Sequence, residues 1–179
     1  MISLVIGGQK CGKSAFAEQL ALDSVYERRY YIATMQVQDA ESLERKNRHR
    51  MMRSGKGFKT LEIPHHIEEA AFLMEDPEKC CVLLECAANL VANIMHEDEW
   101  KERSCKEGDE GYFEFVSYVT DIVRRLSGVV GDIIVVSSEY SKERGMDKET
   151  LKYIDLLNGV NGELISLSDR VYDMRYGNP

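Results

Sequence analysis

The chain has 179 residues, of which 44% are hydrophobic and 30% charged, and its formal net charge is −8. That length suits one domain (residues 1–179) able to bury roughly 70% of the surface its unfolded form exposes. The acidic balance argues against a general binder of nucleic acid or anionic membrane. No apolar run is long enough to span a bilayer, and the N-terminus lacks the basic region and cleavage site of a secretory signal, so the expected location is cytoplasmic.

The first apolar run, Ile2–Ile6, has strand length and leads straight into Gly7. Residues 7–14 read Gly7-Gly8-Gln9-Lys10-Cys11-Gly12-Lys13-Ser14, a match to G-x-x-x-x-G-K-[ST]. Gly7 and Gly12 permit backbone angles that a Cβ would forbid, so the amide N–H groups can turn inward as a nest for an anion. A helix expected over 13–24 points its positive dipole end at the same place. Lys13 supplies a mobile cation for the β- and γ-phosphates of a nucleotide, and the Ser14 hydroxyl can ligate Mg²⁺. Between a buried strand and an amphipathic helix, such a loop reads as a nucleoside triphosphate site.

A second strand, Arg29–Ala33, runs into Thr34. Then comes a helix expected over 40–54, with Asp39 as a plausible N-cap and Glu41 and Glu44 near its positive end. Of the chain's 23 basic and 31 acidic residues, seven basic and no acidic ones fall in 45–59: Arg45, Lys46, Arg48, Arg50, Arg53, Lys56 and Lys59. His49 sits in the middle of this island. Cationic neighbours favour a neutral imidazole with one nitrogen free as a nucleophile, while the arginines could hold a phosphate in line. A solvated basic helix face with a bystander histidine is a second reading of the same residues, and nucleic-acid binding a third, though no interleaved aromatic platform accompanies them.

Further strands are expected at Lys59–Ile63, Cys80–Leu84, Asp132–Val136 and Arg170–Met174, with helices at about 66–75, 87–97, 112–127 and 147–166. Alternating β and α elements, with strands apolar on both faces, predict an α/β fold with a mostly parallel sheet between helices. Ligands of such sheets bind outside the carboxyl ends of the strands, where Thr34, Glu62, Glu85, Ser138 and Glu139 stand. His65 and His66 read as loop or cap residues and His96 as a helix end. The charged stretch Glu97–Gly111 reads as a surface connection or frayed helix end. Cys80, Cys81 and Cys86 read as small buried hydrophobes, and no zinc-ligand spacing occurs.

The order of these features resembles one family. Gly-Gly-x-x-x-Gly-Lys-Ser is followed by Tyr31-Ile32-Ala33-Thr34, by Arg45-x-x-x-His49-Arg50-x-x-Arg53, by Thr60-x-Glu62, and by Leu83-Leu84-Glu85-Cys86 with Asn89 and Asn93 beyond. This is similar to the bifunctional adenosylcobinamide kinase/adenosylcobinamide-phosphate guanylyltransferases of cobalamin biosynthesis. The likeness is closest over residues 1–95. Farther on, Ser137-Ser138-Glu139-Tyr140-Ser141 replaces the family's Ser/Thr-Asn-Glu-Val-Gly, and Val160 replaces an arginine between Gly159 and Asn161.

The resemblance implies a RecA-like P-loop domain, assembly as a trimer, and ATP or GTP as substrates with Mg²⁺ as cofactor. It implies small-molecule partners only, a nucleotide and a corrinoid. It also implies phosphorylation of the corrinoid's aminopropanol hydroxyl, then GMP transfer from GTP through a guanylyl-histidine. By the same resemblance Lys13 and His49 are catalytic, and the nucleotide is contacted by residues 7–14, Thr34, Met35, Gln36, Arg50, Met51, Met52, Arg53, Glu62 and Glu85.

Overall fold

The computed structural model describes residues 1–36, 40–101, 103 and 107–175, the side chains of Glu41, Ser42, Arg45, His49 and Met52 excepted. Six strands, β1 (Ile2–Gly7), β2 (Arg28–Ala33), β3 (Phe58–Glu62), β4 (Cys80–Glu85), β5 (Asp132–Ser138) and β6 (Arg170–Asp173), form one sheet in the order β3-β2-β4-β5-β1-β6. Every neighbouring pair is parallel, so the mostly parallel sheet expected from the sequence is wholly so. The helices are α1 (Lys13–Leu22), α2 (Ala40–Arg53), α3 (Ala87–Met95), α4 (Asp98–Lys101), α5 (Glu110–Ser127) and α6 (Lys148–Leu167).

Strand alternation divides the core into two layers. Leu4, Ile6, Val82, Leu84, Ile133 and Val135 point to the side covered by α3, α5 and α6, where Leu90, Phe115, Val119 and Leu157 fill the space. Val5, Tyr31, Cys81, Leu83, Ile134 and Val136 point to the opposite side, against Ala17 and Ala21 of α1. Two small residues at helical spacing let α1 lie close to β1, β4 and β5. Burial lifts the Cys81 thiol to about 11, in keeping with an inert structural cysteine.

Local signals set the helix ends. Asp147 caps α6, its carboxylate accepting from the Glu149 and Thr150 amides at 2.9 Å each. At the far end of α1, the Arg29 guanidinium donates to the Ala21 and Leu22 carbonyls at 2.9 and 3.1 Å, satisfying groups the helix leaves open.

Two segments depart from the sequence-based expectation. Residues Ile67–Leu73 form a 3-10 helix instead of an α-helix. Left-handed His66 and Asp76-Pro77 bracket the stretch, and a threefold turn buries Ile67 and Ala70, three residues apart, on one side. The charged stretch after Glu97 holds the short helix α4, and its Trp100 is buried edge-to-face on Phe115, centroids 5.2 Å apart. One aromatic anchors a segment whose composition reads as surface. The proposed cap Asp39 lies outside the described residues.

Candidate nucleotide site

The loop after β1 has the backbone its composition calls for. Gly12, the residue before α1, has φ +90°, in the left-handed region open to glycine. Gly7 is needed for another reason. A Cβ there would stand 3.1 Å from the backbone carbon of Met174 and 3.2 Å from Cys11 Sγ. The buried Lys13 folds its ammonium back over the loop, donating to the Gly7 carbonyl at 2.9 Å and to that of Gly8. Gly7 O also accepts from the Glu139 amide at 3.1 Å, which ties the loop to the end of β5.

Two strands away, Glu85 closes β4. The Ser14 hydroxyl donates to its Oε1 and the Tyr31 hydroxyl to its Oε2, the latter at 2.8 Å. Burial first, and then the neighbouring Glu85 charge, push the Tyr31 phenol far above its ordinary pKa, so this hydroxyl is a fixed donor. Among the described residues no group of three or more His, Cys, Asp or Glu could hold a metal ion. A hydroxyl and one carboxylate brought together suit Mg²⁺, which takes one or two protein oxygens and fills its octahedron with phosphate oxygens and water.

The end of β2 is held on the other side. Thr34 Oγ1 donates to the Cys86 carbonyl at 2.9 Å and accepts from the Cys86 amide at 2.8 Å. Asn93 Nδ2 donates to the carbonyls of Thr34 and Pro64, at 2.7 and 2.9 Å. Just beyond, the Gln36 amide donates to His65 Nε2 at 2.8 Å, and His65 Nδ1 lies 2.5 Å from Glu97. This Gln36–His65–Glu97 chain joins three separate elements. No local sequence signal announces this role of His65, because Glu97 lies 32 residues away.

The basic island is only partly balanced once the chain folds, three carboxylates among the described residues meeting four of its seven cations. Lys46 and Arg50 pair with Glu62 at 2.7 and 2.9 Å, Arg48 with Glu44 at 3.3 Å, and Lys56 with the buried Glu18 of α1. Arg53 is buried, with its guanidinium 3.3 Å from the centroid of the Tyr31 ring. The last turn of α2 thus packs on the sheet face that carries α1. His49 stands one turn earlier on α2, and its side chain, like those of Arg45 and Met52, lies outside the described set. Met51 is exposed, and Met35 leaves the end of β2. Gly7–Ser14, Thr34, Gln36, Arg53 and Glu85 therefore gather at the carboxyl ends of β1, β2 and β4. Arg50 and Glu62 bond to each other at the neighbouring edge.

The Lys46 hydrogen bond, supplemented by the charges of Lys46 and Arg50, holds the Glu62 carboxyl below its ordinary pKa. A carboxylate with a depressed folded-state pKa stabilises the fold above its unfolded pKa, and that contribution disappears as pH falls through the folded value. The group is partly exposed, so the effect is expected to be under about 1 kcal/mol. Urea unfolding of the wild type and Glu62→Gln should differ at pH 7 and converge by about pH 3. Parallel curves over that range would show that the pairs contribute nothing.

A glycine turn between a parallel strand and a helix, with Lys13 folded over it and Ser14 set against a strand-end carboxylate, defines an α/β protein of the P-loop class. Residues 3–179 match the family described as cobinamide kinase / cobinamide phosphate guanyltransferase (CobU), and the chain belongs to that family. The match extends through the second half, where the sequence resemblance is weaker. Family membership makes the protein an enzyme of the kinase and nucleotidyltransferase classes in cobalamin biosynthesis.

One relative is the bifunctional adenosylcobalamin biosynthesis protein CobU of Escherichia coli (strain K12), 26% identical over 180 residues covering 96% of this chain and 94% of that protein. Among solved structures, an ATPase from the type III secretion system of pathogenic bacteria superposes with a TM-score of 0.60 at 11% identity. That match covers 96% of this chain and 50% of the other, and it speaks for the fold alone. The flagellar accessory protein FlaH of Methanocaldococcus jannaschii gives a TM-score of 0.48 at 13% identity, over 96% of this chain and 70% of its own. Among the described residues no helix is long and apolar enough to cross a membrane.

Proposed function

We propose that this chain, acting as one domain in the cytoplasm, phosphorylates adenosylcobinamide and then transfers GMP from GTP to the resulting phosphate through a guanylyl-histidine at His49. The observation that carries the reading is the Lys13–Ser14–Glu85 constellation at the strand ends of a chain matched to the family over residues 3–179.

In the kinase step the aminopropanol hydroxyl attacks the γ-phosphorus and the nucleoside diphosphate leaves. The loop amides and the α1 N-terminus hold the phosphates, and the Lys13 ammonium exchanges its bonds to the Gly7 and Gly8 carbonyls for phosphate oxygens. When bound beside Ser14 and Glu85, Mg²⁺ supplies charge neutralisation at the β- and γ-phosphates. In the transferase step an imidazole nitrogen of His49 attacks the α-phosphorus of GTP and pyrophosphate leaves. The corrinoid phosphate then attacks the same phosphorus, and the imidazole leaves. Arg50 and Arg53, in the turn after His49, supply positive charge for the triphosphate.

The test is direct. Adenosylcobinamide incubated with the protein, Mg²⁺ and ATP or GTP labelled at the γ-phosphorus should acquire one phosphate ester. Nucleotide hydrolysis without transfer to the corrinoid from either donor would refute the assignment.

A further inference from the structure

The chain Arg53–Tyr31–Glu85–Ser14 runs from the basic helix to the phosphate loop, and its second member has no role so far. Tyr31 sits on β2 and is 3% exposed. Its ring lies under the Arg53 guanidinium at 3.3 Å, and its hydroxyl donates to Glu85 Oε2 at 2.8 Å. Register explains the reach. Tyr31 pairs with Leu83 and Ala33 with Glu85, so the Tyr31 and Glu85 side chains are diagonal neighbours on the sheet face that carries α1. The ring is clamped between the sheet and a buried arginine, and its hydroxyl is fixed in direction.

The geometry points to Tyr31 as a positioning residue for the metal–nucleotide site, acting through Glu85. This rests on the reading of Ser14 and Glu85 as the Mg²⁺ side of the nucleotide site. Glu85 has two oxygens, and Ser14 faces only one of them. The Tyr31 hydroxyl engages the other, which fixes the rotation of the carboxylate and presents Oε1 to Ser14. Removing that donor takes away the bond that sets Oε2, and the pair loses part of the arrangement that suits a hard cation. A merely structural aromatic would need the ring and not the hydroxyl.

Tyr31→Phe separates the two roles, since it keeps the ring and the Arg53 stack. The measurement is the affinity of a non-hydrolysable GTP analogue, by calorimetry, across a Mg²⁺ titration and in EDTA. In the wild type Mg²⁺ should tighten binding. In Tyr31→Phe the Mg²⁺ concentration giving half of that gain should rise about tenfold, with the affinity in EDTA unchanged. An unchanged Mg²⁺ midpoint in Tyr31→Phe would overturn the proposal alone. So would an equal loss of affinity with and without the metal, which is the signature of a packing defect. A wild type whose binding ignores Mg²⁺ would instead overturn the reading of Ser14 and Glu85, and this proposal with it.

Discussion

Lys13→Ala is expected to lower kcat/KM for phosphoryl transfer by about a hundred- to a thousandfold while leaving the protein folded. The two halves of that expectation have separate causes. Among the described residues the ammonium bonds to the Gly7 and Gly8 carbonyls and, weakly, to Cys11 Sγ at 3.8 Å, all within the loop itself. Gly7 O keeps the Glu139 amide as a partner when the lysine is removed, so the loop remains tied to β5. Loop shape is held by Gly12 in its left-handed conformation and by the close fit of Gly7 against Met174, neither of which involves the lysine.

On the proposed chemistry the ammonium is dispensable for the fold and serves the phosphates. Its removal takes one charge from the place where negative charge moves between the γ- and β-phosphates. Steady-state rates with γ-labelled donor, set beside urea midpoints, check both halves. A fall of less than tenfold would mean that another cation serves the phosphates. A collapsed midpoint would mean that the lysine holds the loop together.

The fold was legible because its strands are apolar on both faces and its helices carry a regular apolar spacing. A run such as Cys80-Cys81-Val82-Leu83-Leu84 suits a central parallel strand, and β4 lies between β2 and β5. The phosphate loop was legible because its chemistry is local: eight consecutive residues hold the turn, the cation and the hydroxyl. What stayed hidden depends on register between distant segments. Tyr31 meets Glu85 only because β2 and β4 pair with Ala33 opposite Glu85, and no spacing within either strand reveals that.

The basic island illustrates the same limit. Counted along the chain it has no acidic residue, yet Glu62 stands three positions beyond it and Glu18 reaches it from α1. In the folded chain Arg53 is buried on Tyr31, so it is a wall of the site more than a free surface charge. Trp100 shows the converse, a single large side chain drawing a hydrophilic stretch onto the core.

His49→Ala is the sharpest test of the second half of the proposed chemistry. With Mg²⁺ and GTP labelled at the α-phosphorus, the wild type should retain label after denaturation, stable in alkali and lost in acid. That pattern marks a phosphorus–nitrogen bond, because protonating the ring turns imidazole into a good leaving group. In His49→Ala the label and GMP transfer should fall by at least about a thousandfold, as expected when a covalent nucleophile is removed. Phosphorylation of adenosylcobinamide by the same variant should persist, since Lys13, Ser14 and Glu85 are untouched.

That contrast would divide the two activities between two parts of one site, with the phosphate loop serving the γ-phosphorus and α2 the α-phosphorus. The chain has four histidines, which makes the alternatives few. His65 is held between Gln36 and Glu97, His66 stands at the start of the 3-10 helix, and His96 ends α3. Label persisting in His49→Ala would move the nucleophile to one of these, and His65, joined to the end of β2 through Gln36, would be the next to replace. A wild type that never takes label, but phosphorylates the corrinoid, would leave the α2 arginines as phosphate holders and require GMP transfer without a guanylyl-histidine.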